Sequence, residues 1–453
     1  MNNRVGSFFV ILSIFFINYG AQQGMLYGNP LLPEIQDIPP RNTLFVKREK
    51  LTKQIGKALE AKTVQASVAL VGMPGIGKTQ LAKEYAHDYA EKYNIVWWID
   101  ANQDFLPQLR ELGQKLKTFK GCPMPSSKER SYKKWLEGIS ACCESYFPRI
   151  LFIIDDIKDM NIAQQIKESF KNVSILLTTR NQFMKGSMIT LKSFTREESL
   201  DYLRKLLPKA SPHSLDALAE TLKDYPLALA QASSYIRSIP SLTIDEYLKL
   251  YNEKLSTLWE KEETNSSELY HYTVASTFML LLEQLQKTHP NAIEILKLTS
   301  FLGGQDIPKR FLKKWMIDDK AYDEFEFHEA LSVLLKTSLF ELSEENNAND
   351  EKYSIHSTLH KFVRDQLSKE EKKKYINEAA NLLLSYLQGS SYQLWKALFN
   401  DRYLEFHLKS FLEIAKSSEL KSNDIVNLKL KYINFLFFFN SDYQNTKEKN
   451  SRA

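Results

Sequence analysis

One stretch near residue 70 constrains the fold of this chain more than any other. An apolar run from Val68 to Val71 leads into a glycine-rich segment, and apolar residues then recur at spacings of three and four from Leu81 to Tyr89. That recurrence is the period of an amphipathic helix. The segment in between reads Gly72-Met73-Pro74-Gly75-Ile76-Gly77-Lys78-Thr79. The stretch therefore predicts a buried strand, a tight glycine loop and a helix in direct succession.

The glycine loop has the residue types that a chain of phosphates requires. It fits the pattern G-x-x-x-x-G-K-[ST] without a mismatch. Glycines let backbone N–H groups approach an anion closely, and the helix that follows adds partial positive charge. In such loops a lysine like Lys78 reaches the β- and γ-phosphates, and a hydroxyl like that of Thr79 ligates Mg²⁺. We therefore predict a binding site for ADP or ATP with Mg²⁺, formed by residues 72–79 together with Gln80.

A pair of carboxylates directly follows a strongly apolar run near residue 150. Asp155 and Asp156 come directly after the run from Ile150 to Ile154. In phosphate-loop enzymes a strand of this kind delivers one carboxylate to the magnesium shell and another to the attacking water. We predict that Asp155 and Thr79 hold the metal, and that Asp155, Asp156 and Lys78 are catalytic. The alternative is an ordinary strand that ends at an acidic turn.

Another apolar run, from Val173 to Leu177, ends in Thr178, Thr179 and Arg180. If this strand lies beside the strand of the glycine loop, Arg180 comes to the γ-phosphate of ATP, where a cation can sense the bound nucleotide. The alternative is an arginine in solvent at a strand end. Strands are also predicted near 95–100 and 188–191, with helices between them. This alternation predicts an α/β fold, a parallel sheet with helices on both faces.

The period is mainly helical from residue 193 onward, which divides the rest of the chain. Helices followed by a β-hairpin near 339–356 suggest a winged helix. The helices after residue 368 either begin a repeat array or form a single helical cap. We predict these units: a leader at 1–40, a nucleotide-binding domain at 41–192, a helical bundle at 193–264, a winged helix at 265–367, a C-terminal helical region at 368–440 and a disordered tail at 441–453.

Composition narrows the choice of partners and compartment. The chain of 453 residues has 60 basic and 55 acidic residues, a net charge of +5 that is too small to predict nucleic-acid binding. Its three cysteines lack metal-ligand spacing and cannot all pair, which favours buried or free thiols in a reducing compartment. Residues 1–24 hold an apolar stretch of signal-peptide length, too short to span a bilayer and with a poor cleavage site. We expect a cytoplasmic protein without a membrane partner, with export or anchoring as the alternative.

Several of these motifs, in this order, resemble the NB-ARC domain of the signal-transduction NTPases with numerous domains. That class includes plant disease-resistance proteins and apoptotic protease-activating factors. The resemblance covers roughly residues 41–367 and rests on the glycine loop, on Asp155-Asp156 and on the strand that ends at Arg180. Three further stretches resemble motifs of the family: Phe45-Val46-Lys47-Arg48-Glu49, Tyr225-Pro226-Leu227-Ala228 and Tyr353-Ser354-Ile355-His356.

The resemblance implies roles that the residues alone do not establish. Phe45 and Val46 would abut the adenine base, although on their own they suggest a hydrophobic staple before a helix. Pro226 would touch adenine, and His356 would read the β-phosphate of ADP. The resemblance also implies a switch, in which ADP holds a closed form and ATP favours opening and assembly into a homo-oligomer. Slow hydrolysis would reset it, and the protein partner that it signals to is unknown.

The sequence also departs from the family pattern. Lys47 stands where the family usually has glycine, Asp224-Tyr225 replaces Gly-Leu before Pro226, and Ser357 stands where many members have aspartate. Changes at that last position loosen the ADP-locked state in the family. Two other functions stay open: an ATP-dependent transcription regulator that binds DNA through the winged helix, and an ATPase motor. For the first, Lys361 and Arg364 are the basic residues beside the hairpin, too few to favour DNA.

Overall fold

The computed structural model describes most of the chain from residue 35 onward. The described residues are 35–60, 65–119, 121–126, 129–180, 187–259, 269–344, 351–390, 393, 398, 401–417 and 423–435. The apolar stretch within residues 1–24 and the predicted tail at 441–453 lie outside these ranges. Among the described residues, no helix combines the length and the apolar character needed to cross a membrane.

A six-stranded sheet forms the first half of the described chain. Its strands, in chain order, are β1 (Ile35–Asp37), β2 (Gln65–Val71), β3 (Ile95–Asp100), β4 (Ile150–Asp155), β5 (Val173–Thr179) and β6 (Ser187–Thr190). Across the sheet they run β1-β3-β4-β5-β2-β6, and every pair is parallel. The predicted parallel sheet is therefore confirmed, and β5 lies beside the strand of the glycine loop, between it and the strand of the paired acids.

Side chains of successive residues point to opposite faces of this sheet and enter two separate cores. On β4, Leu151 and Ile153 belong to one core, whereas Phe152 and Ile154 belong to the other. Such uninterrupted apolar runs are typical of parallel strands that helices cover on both faces. These helices are α1 (Glu49–Glu60), α2 (Lys78–Tyr89), α3 (Phe105–Leu116), α4 (Tyr132–Tyr146) and α5 (Asn161–Ser169).

Four helices follow the sheet and continue the first of these cores. They are α6 (Arg196–Leu206), α7 (Pro212–Thr221), α8 (Pro226–Ser238) and α9 (Ile244–Trp259). Local sequence fixes where they begin. Thr195 and Glu198 form a capping box at the start of α6, and prolines occupy the first turns of α7 and α8, where no backbone N–H is needed.

A second, smaller sheet lies among the helices that come next. Its strands are β7 (Ile307–Pro308), β8 (Glu341–Glu344) and β9 (Lys352–Ser354), in the antiparallel order β7-β9-β8. The helices around it are α10 (Leu269–Thr288), α11 (Pro290–Thr299), α12 (Lys309–Lys313, continued by a π-helical turn over Lys314–Asp319), α13 (Glu324–Lys336) and α14 (Ser357–Gln366). The predicted hairpin is present as β8 and β9.

The described chain ends in three further helices. They are α15 (Lys369–Tyr386), α16 (Arg402–Ser417) and α17, which spans residues 423–435. Apolar residues of all three belong to the core that begins on one face of the large sheet. One continuous apolar core therefore joins the nucleotide-site sheet to the C-terminal helices.

The cysteines differ from expectation. Cys122 and Cys142 form a disulfide, with a Cα–Cα distance of 4.8 Å, and only Cys143 is a free, buried thiol among the three. The expectation of free thiols is therefore wrong for two of them. It failed because the loop after α3 folds back onto α4, a tertiary contact that the spacing of the cysteines does not reveal.

Candidate functional site

The glycine loop joins β2 to α2 and has the backbone that its sequence predicts. Gly75 and Gly77 have φ values of +74° and +96°, in the left-handed region that favours glycine. Lys78 begins α2, and its Nζ donates hydrogen bonds to the carbonyl oxygens of Gly72 (2.9 Å) and Met73 (3.0 Å). Burial, followed by the neighbouring charge of Arg180, lowers the pKa of Lys78 to about 8. The lysine thus lies folded over its own loop, ready to exchange carbonyl partners for an anion.

Two other loop residues have secondary roles in this arrangement. The side chain of Ile76 is buried beneath the loop. The carboxamide of Gln80, in the first turn of α2, accepts a hydrogen bond from Asn42 Nδ2 at 3.3 Å. Pro74 offers its carbonyl oxygen to a helix of the next module, as described below.

Thr79 and Asp155, the predicted metal ligands, are in direct contact. The Thr79 hydroxyl donates to Asp155 Oδ1 at 2.9 Å, and the Thr178 hydroxyl donates to the same oxygen. Burial raises the pKa of Asp155, and the hydrogen bonds from Thr178 and Thr79 act against that rise. These oxygen donors are of the kind that Mg²⁺ prefers. The residues present therefore fit a magnesium ion beside the phosphates, and a cavity of about 150 Å³ opens next to them.

Thr178 was not among the predicted site residues, although it connects both acids. Its Oγ1 also accepts a hydrogen bond from the backbone N–H of Asp156 at 2.8 Å. Asp156 itself has a φ of +53°, unusual for a residue with a side chain. A polar residue at the end of an apolar strand was the only sequence signal for this role, and Thr179 and Arg180 carry the same signal.

Arg180 joins the sheet to the small β-sheet module. Its Nε lies 3.4 Å from Asp156 Oδ1, and its Nη2 donates to the hydroxyl of Ser357 at 2.8 Å. The carboxylate of Asp156 also accepts from Asn102 Nδ2 at 3.3 Å. The structure therefore brings the predicted water-orienting acid and the predicted sensor together. Ser357 and Asn102 were not predicted as site residues.

His356 lies next to Ser357, where β9 leads into α14. Its Nδ1 accepts a hydrogen bond from the backbone N–H of Thr358 at 3.2 Å, which caps the helix. Burial, together with the charges of Arg180 and Lys78, lowers the pKa of His356 to about 4. A neutral imidazole that accepts at Nδ1 carries its proton at Nε2. His356 is thus a neutral N–H donor within the electrostatic reach of the glycine-loop lysine.

The segment before Pro226 holds the helical bundle against the glycine loop. The Tyr225 hydroxyl donates a hydrogen bond to the carbonyl oxygen of Pro74. A Cβ atom on Gly75 would lie 2.7 Å from Leu227 Cδ2, so the side chain of Leu227 packs directly on the loop. Pro226 opens α8 between these two contacts. The tyrosine that replaces the leucine of the family pattern thus forms a direct link to the loop.

Asp224, the residue before Tyr225, also departs from the family pattern, and the structure accommodates it. Asp224 has a φ of +54°, a conformation that the glycine of the family pattern would adopt without strain. The guanidinium of Arg196 donates two hydrogen bonds to the Asp224 carboxylate, at 2.9 and 3.1 Å. A two-pronged arginine–carboxylate pair of this kind can offset a strained backbone.

Residues 45–48, directly before α1, make their contacts with α6 and with the residues that follow β6. Val46 is buried, Phe45 is partly buried, and the carbonyl oxygen of Phe45 accepts from Lys205 Nζ at 3.2 Å. Arg48 is buried and donates to the carbonyl oxygens of Lys192 and Ser193. Lys47, which replaces a glycine of the family pattern, is exposed. These contacts anchor the segment between the sheet and α6.

Two family profiles match this sequence. The profile of the NB-ARC domain matches residues 48–207, and that of a domain of unknown function (DUF7779) matches residues 283–372. A nucleotide-binding leucine-rich repeat (NLR)-like protein of Hyaloscypha variabilis is 26% identical over 314 residues, which are 60% of this chain and 31% of that protein. A putative disease resistance protein of Arabidopsis thaliana is 28% identical over 175 residues, 34% of this chain and 14% of that protein. The chain thus spans less than a third of the length of either relative.

A solved structure has a similar fold. It is that of a signal transduction ATPase with numerous domains (STAND) with a tetratricopeptide repeat sensor, from Pyrococcus horikoshii. The TM-score is 0.53 at 18% sequence identity, and the match covers 89% of this chain and 55% of the other. At this identity the likeness shows the fold alone, a parallel-sheet core followed by helical modules.

Proposed function

We propose that this chain, which has an NB-ARC domain over residues 48–207, is a P-loop NTPase of the STAND class that acts as a molecular switch operated by ADP and ATP. The observation that carries the proposal is the position of Arg180. It contacts a candidate catalytic acid, Asp156, and also Ser357 of the small β-sheet module. A change at the nucleotide would therefore reach a second module through one side chain.

The switch would use four units. Residues 41–192 form the nucleotide-binding domain, 193–264 the helical bundle, 265–367 a winged helix and 368–440 the C-terminal helical region. Support for the winged helix comes from the antiparallel hairpin that leads directly into α14. Support for a closed assembly comes from Tyr225 and Ser357, which reach the sheet domain from two different units.

In the closed form, ADP lies against the backbone of residues 72–79. Lys78 exchanges its two carbonyl partners for phosphate oxygens, and Gln80 extends the loop into α2. Thr79 and Asp155 would hold Mg²⁺, which would neutralise phosphate charge when bound. His356, neutral at physiological pH, would donate a hydrogen bond from its Nε2–H to the β-phosphate. Pro226, Phe45 and Val46 border the adenine base.

In the ATP-bound form, Arg180 turns from Ser357 to the γ-phosphate. A ligand shifts such an equilibrium only by its differential affinity for the two forms. The exchange of a neutral hydrogen-bond acceptor for a charged phosphate supplies that difference. Opening then exposes surfaces for assembly into a homo-oligomer, and slow hydrolysis, with Asp156 orienting water, restores ADP and the closed form.

Nothing among the described residues favours the DNA-binding alternative. Of the two basic residues beside the hairpin, Arg364 turns inward and donates to the carbonyl oxygen of Ser300. Of these two basic residues, only Lys361 is exposed. One exposed lysine does not form a recognition surface.

The experiment that tests the proposal is nucleotide binding by the full chain and by Lys78→Ala. We expect wild type to retain ADP through gel filtration and the variant to lose it, because the lysine contributes the main positive charge at the phosphates. Lys53→Ala, which removes an exposed lysine of α1 paired with Glu49, is the matched control and should bind like wild type. Equal ADP affinity in wild type and Lys78→Ala would contradict the proposal.

A further inference from the structure

The four residues after β3, Ala101 to Asp104, form a loop that touches three parts of the molecule. The backbone N–H of Ala101 donates to the carbonyl oxygen of Asp155 at 3.0 Å. The loop is therefore hydrogen-bonded to the strand that carries both candidate catalytic acids. Each of the next three side chains makes a different contact.

Asn102 reaches one of those acids. Its Nδ2 lies 3.3 Å from Asp156 Oδ2 and 3.3 Å from Asp100 Oδ1, and its backbone N–H donates to Asp100 Oδ1 at 2.9 Å. Asp100 is a buried carboxylate at the end of β3. Because the Asp156 carboxylate accepts and does not donate, this contact fixes the Asn102 amide with its nitrogen toward Asp156.

Gln103 reaches the small β-sheet module. Its Nε2 donates to Asp100 Oδ2 at 3.1 Å and to Asp306 Oδ2 at 2.7 Å. Asp306 directly precedes β7, and its carbonyl oxygen accepts from Nε2 of His407, a buried residue of α16, at 3.2 Å. This side of the loop is thus connected to α16 through one intermediate residue.

Asp104 contacts α16 directly. One carboxylate oxygen caps α3 by accepting from the backbone N–H of Leu106 at 3.0 Å, and the other accepts from Lys409 Nζ at 3.0 Å. Lys409 also pairs with Glu405 of its own helix at 3.1 Å. A single carboxylate therefore joins the start of α3 to the C-terminal helical region.

We propose that this loop, residues 101–104, couples α16 to the catalytic acid Asp156. Asn102 is the positioning residue for that carboxylate, and the ion pair between Asp104 and Lys409 sets where the loop lies. Displacement of α16, by a partner or by opening of the molecule, moves Asn102 and changes the orientation of Asp156. The inference rests on the proposed switch and names the contact through which the C-terminal region regulates it.

The first test compares Lys409→Glu with Lys416→Glu in the full chain. Both reverse a charge on α16, but Lys416 is exposed and lies about two helical turns after Lys409. We expect Lys409→Glu to change single-turnover ATP hydrolysis, or release of N-methylanthraniloyl-ADP, by about two- to fivefold, the effect of a half-exposed ion pair. Lys416→Glu and Lys409→Arg should match wild type. Lys409→Met repeats the test should the glutamate variant fail to fold.

The second test is a double-mutant cycle with Asn102→Ala, which separates transmission from a merely structural effect. We expect Asn102→Ala to lower the hydrolysis rate at unchanged ADP affinity and to abolish the effect of the Lys409 substitution. Additive effects, or wild-type rates in both single variants, would overturn the coupling while leaving the switch in place. A wild-type chain that binds no nucleotide would instead overturn the proposed function itself.

Discussion

At the scale of single residues, the glycine loop depends on a neighbour from another module. Leu227 packs against Gly75, and the Tyr225 hydroxyl is hydrogen-bonded to Pro74. The loop is therefore shaped by its own glycines and also by the start of α8. Single substitutions in the loop can therefore measure the contribution of the glycine backbone and the contribution of the packing against α8.

Gly75→Ala and Gly77→Ala separate these two influences. Both glycines have positive φ, but a Cβ on Gly75 would lie 2.7 Å from Leu227, whereas nothing lies within 4 Å of one on Gly77. We expect Gly77→Ala to cost about 1–2 kcal/mol of backbone strain, and Gly75→Ala to cost a further 1–3 kcal/mol of overpacking, roughly. Urea unfolding without nucleotide measures both. Equal losses in the two variants would show that the packing of Leu227 on the loop is unimportant.

His407 should give the protein a measurable sensitivity to acid. It is fully buried, its Nδ1 accepts from the backbone N–H of Gly303, and burial lowers its pKa to about 4. An unfolded histidine titrates near 6.5, so the unfolded chain binds this proton first as the pH falls. Between pH 6.5 and 4 the residue therefore removes about 1.4 kcal/mol of unfolding free energy per pH unit.

The check is the pH dependence of urea unfolding in wild type and His407→Gln. The variant should lose less stability between pH 6.5 and 5, by the contribution of about one proton, whatever its stability at pH 7. His356 and His360 also have lowered pKa values and stay in both proteins, so they cancel. Parallel pH profiles would mean that His407 is not held neutral in the folded state.

Sequence predicted only some of these residue-scale features. Lys78, Thr79 and Asp155 belong to patterns whose spacing is set by the chemistry of the phosphates and the metal. Asn102 belongs to no such pattern, and Ser357 stands out in the sequence only as a departure from the family motif that ends at His356. They reach Asp156 and Arg180 because the loop after β3 and the start of α14, which are distant in the chain, meet at the ends of β4 and β5, and no local spacing encodes that meeting.

At the scale of elements, the order of the strands decides which side chains meet. Because β5 lies between β2 and β4, the polar end of β5 comes between the glycine loop and the paired acids. Thr178 can then bond to both acids, and Arg180 can bridge to α14. The alternation of strands and helices predicted this parallel sheet, and the apolar runs predicted which segments lie inside it.

Ser357→Asp should strengthen the link between β5 and α14. It replaces a neutral acceptor of Arg180 with a carboxylate, and charge-assisted hydrogen bonds are about twice as strong as neutral ones. We expect release of N-methylanthraniloyl-ADP to slow by about two- to fivefold, and Ser357→Ala to accelerate it. Ser145→Asp, on the exposed side of α4, is the control. Faster release from Ser357→Asp would argue that this link does not hold the closed form.

Other elements were beyond the reach of the sequence. The segment 35–37 falls within the predicted leader at 1–40, yet it adds a parallel edge strand to β3. Three residues are too few for a recognisable period. The pairing of Cys122 with Cys142 likewise depends on how the loop after α3 turns back.

At the scale of the whole molecule, the contacts around the nucleotide site come from every major part of the described chain. Tyr225 reaches it from the helical bundle, Ser357 from the small β-sheet module and Lys409, through Asp104, from the C-terminal helices. None of these contacts is large. Because these contacts come from separate modules and meet at one site, a nucleotide bound there can shift the equilibrium between two arrangements of the modules, provided that it binds one arrangement more tightly.

Sedimentation velocity of the full chain tests this account most directly, with ADP in one sample and a non-hydrolysable ATP analogue in the other. We predict a compact monomer with ADP and, with the ATP analogue, an expanded particle that assembles as concentration rises. Lys78→Ala should show no difference between the two nucleotides. Identical sedimentation of the wild-type chain with saturating ADP and saturating ATP analogue would contradict the account.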